Sequence, residues 1–183
     1  MKKLHLLTLI IALTLAGSHA EAQVKQQYTY TANLEAFAGT WVYQSGSETF
    51  TLVIKKGREN TGLFYGDCLI GGYKLVKDGV VAADYTQNLP DEITDDNYYI
   101  PKCPSFYGTN GCSRPDCVDL TAAHFYFSDS NRLRLNGVFR LQTPTTARFT
   151  VERPEMALIL EEGREYEVYE ITVPQDVIMT KVE

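Results

Sequence analysis

Apolar and polar residues alternate with a period of two through almost the whole chain, and nothing beyond residue 20 carries a helix period. A chain patterned this way folds into sheets. Thr40-Trp-Val-Tyr43 sets Trp41 and Tyr43 against Thr40 and Val42, and Thr49 to Lys55 puts Phe50, Leu52 and Ile54 on one face. Further on, Leu133, Leu135, Phe139 and Leu141 share a face, with Arg132, Arg134 and Arg140 turned the other way. Each run buries one side only, which is the signature of antiparallel rather than parallel sheets.

Turn residues punctuate these runs: Ser45-Gly-Ser47, Lys56-Gly57, Asp78-Gly79, Ser128-Asp-Ser-Asn131, Thr143-Pro144, Arg153-Pro154 and Glu162-Gly163. The pattern predicts about ten strands, at roughly 40–45, 48–56, 63–77, 80–86, 121–128, 132–141, 146–152, 156–161, 164–173 and 176–182. The expected fold class is all-β, an antiparallel up-and-down barrel in preference to a sandwich, because closing the sheet removes exposed edges. The expected organisation is a leader at 1–20, an N-terminal arm at 21–38 and one barrel domain at 39–183.

The leader reads as a secretory signal. Lys2 and Lys3 precede the apolar run Leu6 to Leu15, which is too short to span a bilayer, and small residues place the cut after Ala20 or Ala22. Ser18 stands where a lipid-anchored precursor would carry cysteine, so the expected product is a secreted or periplasmic protein. Without Lys2 and Lys3 the chain's 17 Lys and Arg become 15 against 23 Asp and Glu, a charge of −8. Such a chain lacks the electrostatic term that supplies non-specific nucleic-acid affinity, and no second apolar run is long enough for a membrane helix.

His5 and His19 leave with the leader, so His124 is the mature chain's one histidine. A Ser-His-Asp or Cys-His site would rest on it alone, there is no Gly-x-Ser-x-Gly, and a multi-histidine metal site is excluded. In His124-Phe-Tyr-Phe127 it alternates with the phenylalanines, so it reads as an outward strand residue. No catalytic residue, cofactor or metal ligand is assigned.

Residues 86–120 form the longest connection, and it is not low-complexity. Insertions of this length in compact domains are usually functional or disordered. It holds Tyr98, Tyr99, Phe106 and Tyr107, four prolines, and Cys103, Cys112 and Cys117, while Cys68 lies near a strand. In an exported chain four cysteines read as two disulfides before they read as a metal site. Of the three possible pairings, Cys68–Cys117 with Cys103–Cys112 suits the topology best. If 63–77, 80–86 and 121–128 are successive antiparallel strands, the start of the first and the start of the last share one barrel end. Asp91-Glu-Ile-Thr-Asp-Asp96 has the oxygens for calcium but not an EF-hand spacing, and a solvated acidic loop is the simpler reading. Arg132, Arg134 and Arg140 offer an anion or glycan site, or more plainly pair with Glu165 and Glu167.

The segments Leu34 to Trp41, Gly39-Thr-Trp-Val-Tyr43, Ile70-Gly-Gly-Tyr73 and Val177-Ile-Met-Thr-Lys181 resemble those of small secreted bacterial lipocalin-like proteins of unknown function, of the calycin type. The resemblance implies that Trp41 packs across the closed end of the barrel beneath a cation, Lys181 or Arg148. It also implies a ligand mouth at the opposite end; the strand parity that pairs Cys68 with Cys117 puts the insert at the Gly-x-Trp end, so the insert is expected to be a plug or separate contact surface rather than a lid.

Two functional classes follow. In a small-ligand carrier, Tyr43, Phe50, Leu52, Tyr73, Phe125, Phe127, Leu133 and Leu135 line a cavity for an apolar or amphipathic molecule. In an interaction module for protein or glycan, the barrel is filled and Tyr98, Tyr99, Phe106 and Tyr107 present a stapled contact surface. The expectation is a secreted, non-catalytic binding protein, the carrier first.

Overall fold

The computed structural model describes residues 28, 31, 33–62, 64–97, 106–109, 120–131, 133–153 and 170–182. A single-turn helix α1 (Leu34–Phe37) precedes β1 (Gly39–Ser45), β2 (Glu48–Asn60), β3 (Tyr65–Lys77), β4 (Val80–Asp84) and β5 (Glu92–Thr94). Then come β6 (Phe106–Thr109), β7 (Ala122–Ser128), β8 (Arg134–Thr143), β9 (Thr146–Glu152) and β10 (Asp176–Val182). Eight strands close a ring, β1-β2-β3-β6-β7-β8-β9-β10 and back to β1, every neighbour antiparallel; β4 and β5 lie outside it. Closure rests on β10 against β1, where Trp41 faces Lys181, and on β3 against β6, where Ile70 faces Tyr107.

The one-sided alternation is realised along the strands. In β2 Phe50, Leu52 and Ile54 are buried between half-exposed neighbours, and in β7 Phe125 and Phe127 turn inward while His124 and Tyr126 turn out. Strand bounds depart from expectation where tertiary packing overrides local turn chemistry. Lys56-Gly57 is no turn: β2 runs on to Asn60, paired with β3 as far as Tyr65. A Cβ on Gly57 would stand 2.3 Å from Ile70 Cδ1 and 3.0 Å from the Asp91 carbonyl, so glycine is there to admit the insert against the barrel wall. The expected strand 156–161 lies outside the described residues, as does most of 164–173, whose described residues 170–173 form no strand.

The larger correction concerns residues 86–120. They were expected to be an insert at the Gly-x-Trp end, a plug or separate contact surface with no strand of its own. Their described residues instead supply β6, a stave of the barrel, and β5, which does lie toward that end, parallel with Arg58–Asn60 of β2 beyond the Ile54 that faces Gly39. Short strands flanked by prolines and acidic residues have too little alternation of their own to be read locally; the ladders of β2, β3 and β7 recruit them.

At the β1 entrance α1 seals the barrel. Leu34 and Phe37 are buried, Trp41 Nε1 donates to the Phe37 carbonyl at 2.9 Å, and Lys181 Nζ lies 5.3 Å from the indole centroid. Arg148, the other cation considered for this place, instead forms a two-pronged pair with Asp176 at 2.7 and 2.5 Å. At the opposite end buried Asp129 ties two segments together. Its carboxylate accepts from the amides of Asn131, Leu133 and Thr172 at 3.0, 2.9 and 3.1 Å and from the Thr172 hydroxyl at 3.2 Å.

Candidate functional site

The barrel interior is packed with rings. Phe50, Leu52, Tyr73, Phe127 and Leu135 have 0% exposure and Phe125 has 4%, while Tyr43 and Leu133 are partly buried against them. A side chain lining a hollow would present surface to that hollow, so zero exposure means that no space the size of a water molecule touches these five residues. Tyr73 sits 5.7 Å from Phe50 and 5.0 Å from Phe127, centroid to centroid. Phe125 is stacked between Phe106 at 4.3 Å and Phe149 at 5.5 Å. The Tyr73 hydroxyl is buried, and burial is the main reason its pKa is driven far above the usual tyrosine range, with the nearby Ser130 and Thr172 hydroxyls acting in the opposite direction.

On the outer wall the insert covers a second apolar cluster of Cys68, Ile70, Ile93 and Tyr107. The Tyr107 hydroxyl donates to the buried carboxylate of Glu59, which also accepts from Thr61 Oγ1 at 3.1 Å. Of the four aromatics expected to present a contact surface, Phe106 is therefore an interior residue and Tyr107 anchors the insert; Tyr98 and Tyr99 lie outside the described residues. The register of β6 decides this, because alternate residues of a strand must face opposite sides.

Cys68 carries a free thiol under this cover, and no disulfide is present among the described residues. Its expected partner Cys117, and both halves of Cys103–Cys112, lie outside them. Burial, with the charges of Glu59 and Asp67 adding to it, pushes the thiol up to about 12. The acidic stretch is engaged in docking. Asp91 pairs with Lys55 at 2.6 Å, which holds its carboxyl below the usual range, and Asp95 accepts from the Gly62 amide at 3.1 Å.

Two adjoining hollows that share His124, Asn136 and Gly137 lie on the outer face, one over β6, β7 and β8 and the other over β7, β8 and β9, and together they make a furrow across four strands. Its floor is the cross-strand row Gly108, Phe125, Gly137 and Val151, whose side-chain direction is inward; of the four only Gly137 is partly exposed. One wall carries Tyr107, Tyr126, Asn136 and Glu152; the other carries His124, Val138 and Thr150. Gly137 is required where it stands, since a Cβ there would meet the Phe125 ring at 2.3 Å. Arg134, expected to pair with glutamates, lies over Tyr126 with its guanidinium 4.3 Å from the ring centroid. Arg132, Glu165 and Glu167 are outside the described residues.

A family model described as a family of unknown function, DUF6705, matches residues 1–182. The chain belongs to the DUF6705 family. No curated protein and no solved structure matches it. In this DUF6705 chain the furrow brings together side chains that sequence reasoning left apart: Tyr126, Asn136 and Glu152 were not singled out, and His124 was read only as an outward strand residue. Alternation alone says that each faces out. That they form one row needs the register of three strand pairs. Chemically the furrow offers an aromatic ring, a carboxamide, an imidazole and a carboxylate, a set suited to hydrogen-bonding a polar ligand from several directions.

Proposed function

We propose that this DUF6705 chain is an exported, non-catalytic binding protein that makes its contacts on the outside of a filled barrel. The observation that carries the reading is the zero exposure of Phe50, Leu52, Tyr73, Phe127 and Leu135, five of the eight side chains a carrier would need to line its cavity. The reading of the barrel as lipocalin-like draws support from the up-and-down ring and from Trp41 at the α1-sealed end beneath Lys181. It departs from a lipocalin carrier in having its interior taken up by its own aromatic rings. Export rests on the leader, and N-terminal sequencing of the mature protein is expected to begin at Glu21 or Gln23.

Native mass spectrometry of the mature protein, purified from its exporting host, tests the binding mode. A bare polypeptide mass, with no saturable uptake of an apolar fluorescent probe, is the expected result. A stoichiometric small molecule lost on denaturation would overturn the filled-barrel reading.

A further inference from the structure

We propose that the furrow across β6–β9 is a binding site for a neutral saccharide chain; this rests on the outer-surface reading above and gives it a ligand class. The furrow runs across the strands. Four strands at the usual spacing give it a length of about 14 Å, enough for a short run of sugar units. Its polar groups, His124, Asn136 and Glu152, are exposed and stand along the two walls, so hydroxyls lying on the floor meet donors and acceptors from both sides. Tyr126 is 45% exposed and borders the furrow with Arg134 on its ring, a contact that orders the tyrosine before any ligand arrives. A pre-ordered aromatic edge beside hydroxyl-matching groups suits the two surfaces of a sugar, its C–H face and its hydroxyl rim.

Other occupants fit worse. An extended peptide binds by adding to a sheet edge, and β6 to β9 each have a neighbour on both sides within the ring. A docked helix needs a stripe of apolar anchors, whereas the exposed wall residues are mostly polar. Charge excludes polyanions: the chain carries −6, and Glu152 stands in the wall itself. A neutral, hydroxyl-rich chain meets neither objection.

The test is calorimetric titration of the mature protein with a panel of neutral cello-, xylo-, laminari- and chito-oligosaccharides, three to six units long. At least one is expected to bind saturably, with a Kd unchanged between low and high salt. Tyr126→Ala and Asn136→Ala are each expected to weaken it about tenfold or more, while Ile178→Ala, an exposed position on β10, leaves it unchanged. Thermal melting establishes that the variants are folded. Absence of binding across the panel, or binding that both folded furrow variants retain, would overturn the site, as would affinity confined to acidic polysaccharides and lost in salt. An endogenous apolar ligand in the native mass spectrum sinks the outer-surface reading instead, so the two failures are distinguishable.

Discussion

Cys68 illustrates how little a residue's type says about its role before its surroundings are known. Four cysteines in a chain read as exported lead to two disulfides by the usual logic. Cys103, Cys112 and Cys117 lie outside the described residues, while the β3 register turns the Cys68 thiol outward, opposite Gly57, beneath Ile93 and Tyr107, where it is free. Burial raises its pKa from 9.0 to about 12, so the unfolded chain loses this proton first. The stability it contributes is complete below about pH 9 and is lost as pH rises toward 12. Denaturant melts between pH 8 and pH 11 are expected to show an alkaline decline that Cys68→Ala lessens. Iodoacetamide is expected to label Cys68 only after unfolding and without reductant; a need for reductant would mean that the thiol is bridged.

At the scale of elements, the insert shows a short segment taking its structure from its neighbours. β5 has three residues and, among the described residues, pairs with β2 alone, so its position depends on Ile93 in the outer cluster and on Asp91, whose carbonyl accepts from the Arg58 amide at 3.1 Å. Ile93→Ala is expected to destabilise the protein by about 2 kcal/mol, the lower end of the range for such truncations because a peripheral element can relax. Amide exchange should speed up over 92–94 first and leave β7 and β8 protected. Uniform loss of protection would mean instead that the insert and barrel unfold as one unit. For β6 the strand was not legible, since Phe106 and Tyr107 look alike as loop aromatics; only pairing with Gly71 and Ile70 on one side and Phe127 and Tyr126 on the other assigns one to each face.

For the whole molecule, the decisive quantity is the space inside an eight-strand ring. A barrel of this size is just wide enough to be filled by side chains or to hold one small ligand, so the size of the inward residues determines which. Here six phenylalanines, Tyr73 and Trp41 turn inward. Phe50→Ala measures the outcome: in a filled interior it is expected to cost about 3–5 kcal/mol, because it leaves a cavity that its neighbours cannot close. A loss below about 1 kcal/mol in equilibrium unfolding would indicate that the ring already faced empty space.

The strands from β1 to β3 and from β7 to β10 could be read from the chain alone, along with their antiparallel sense and the inward identity of Phe50, Leu52, Phe125, Phe127 and Leu135. All of that follows from a period-two pattern, which each strand carries within itself. The wall position of the insert, the burial of Phe106 and Tyr107, the free Cys68 and the outer furrow were decided by tertiary structure. They depend on which strand lies beside which, and in what register, and those relations hold between residues far apart in the chain, where no local pattern records them.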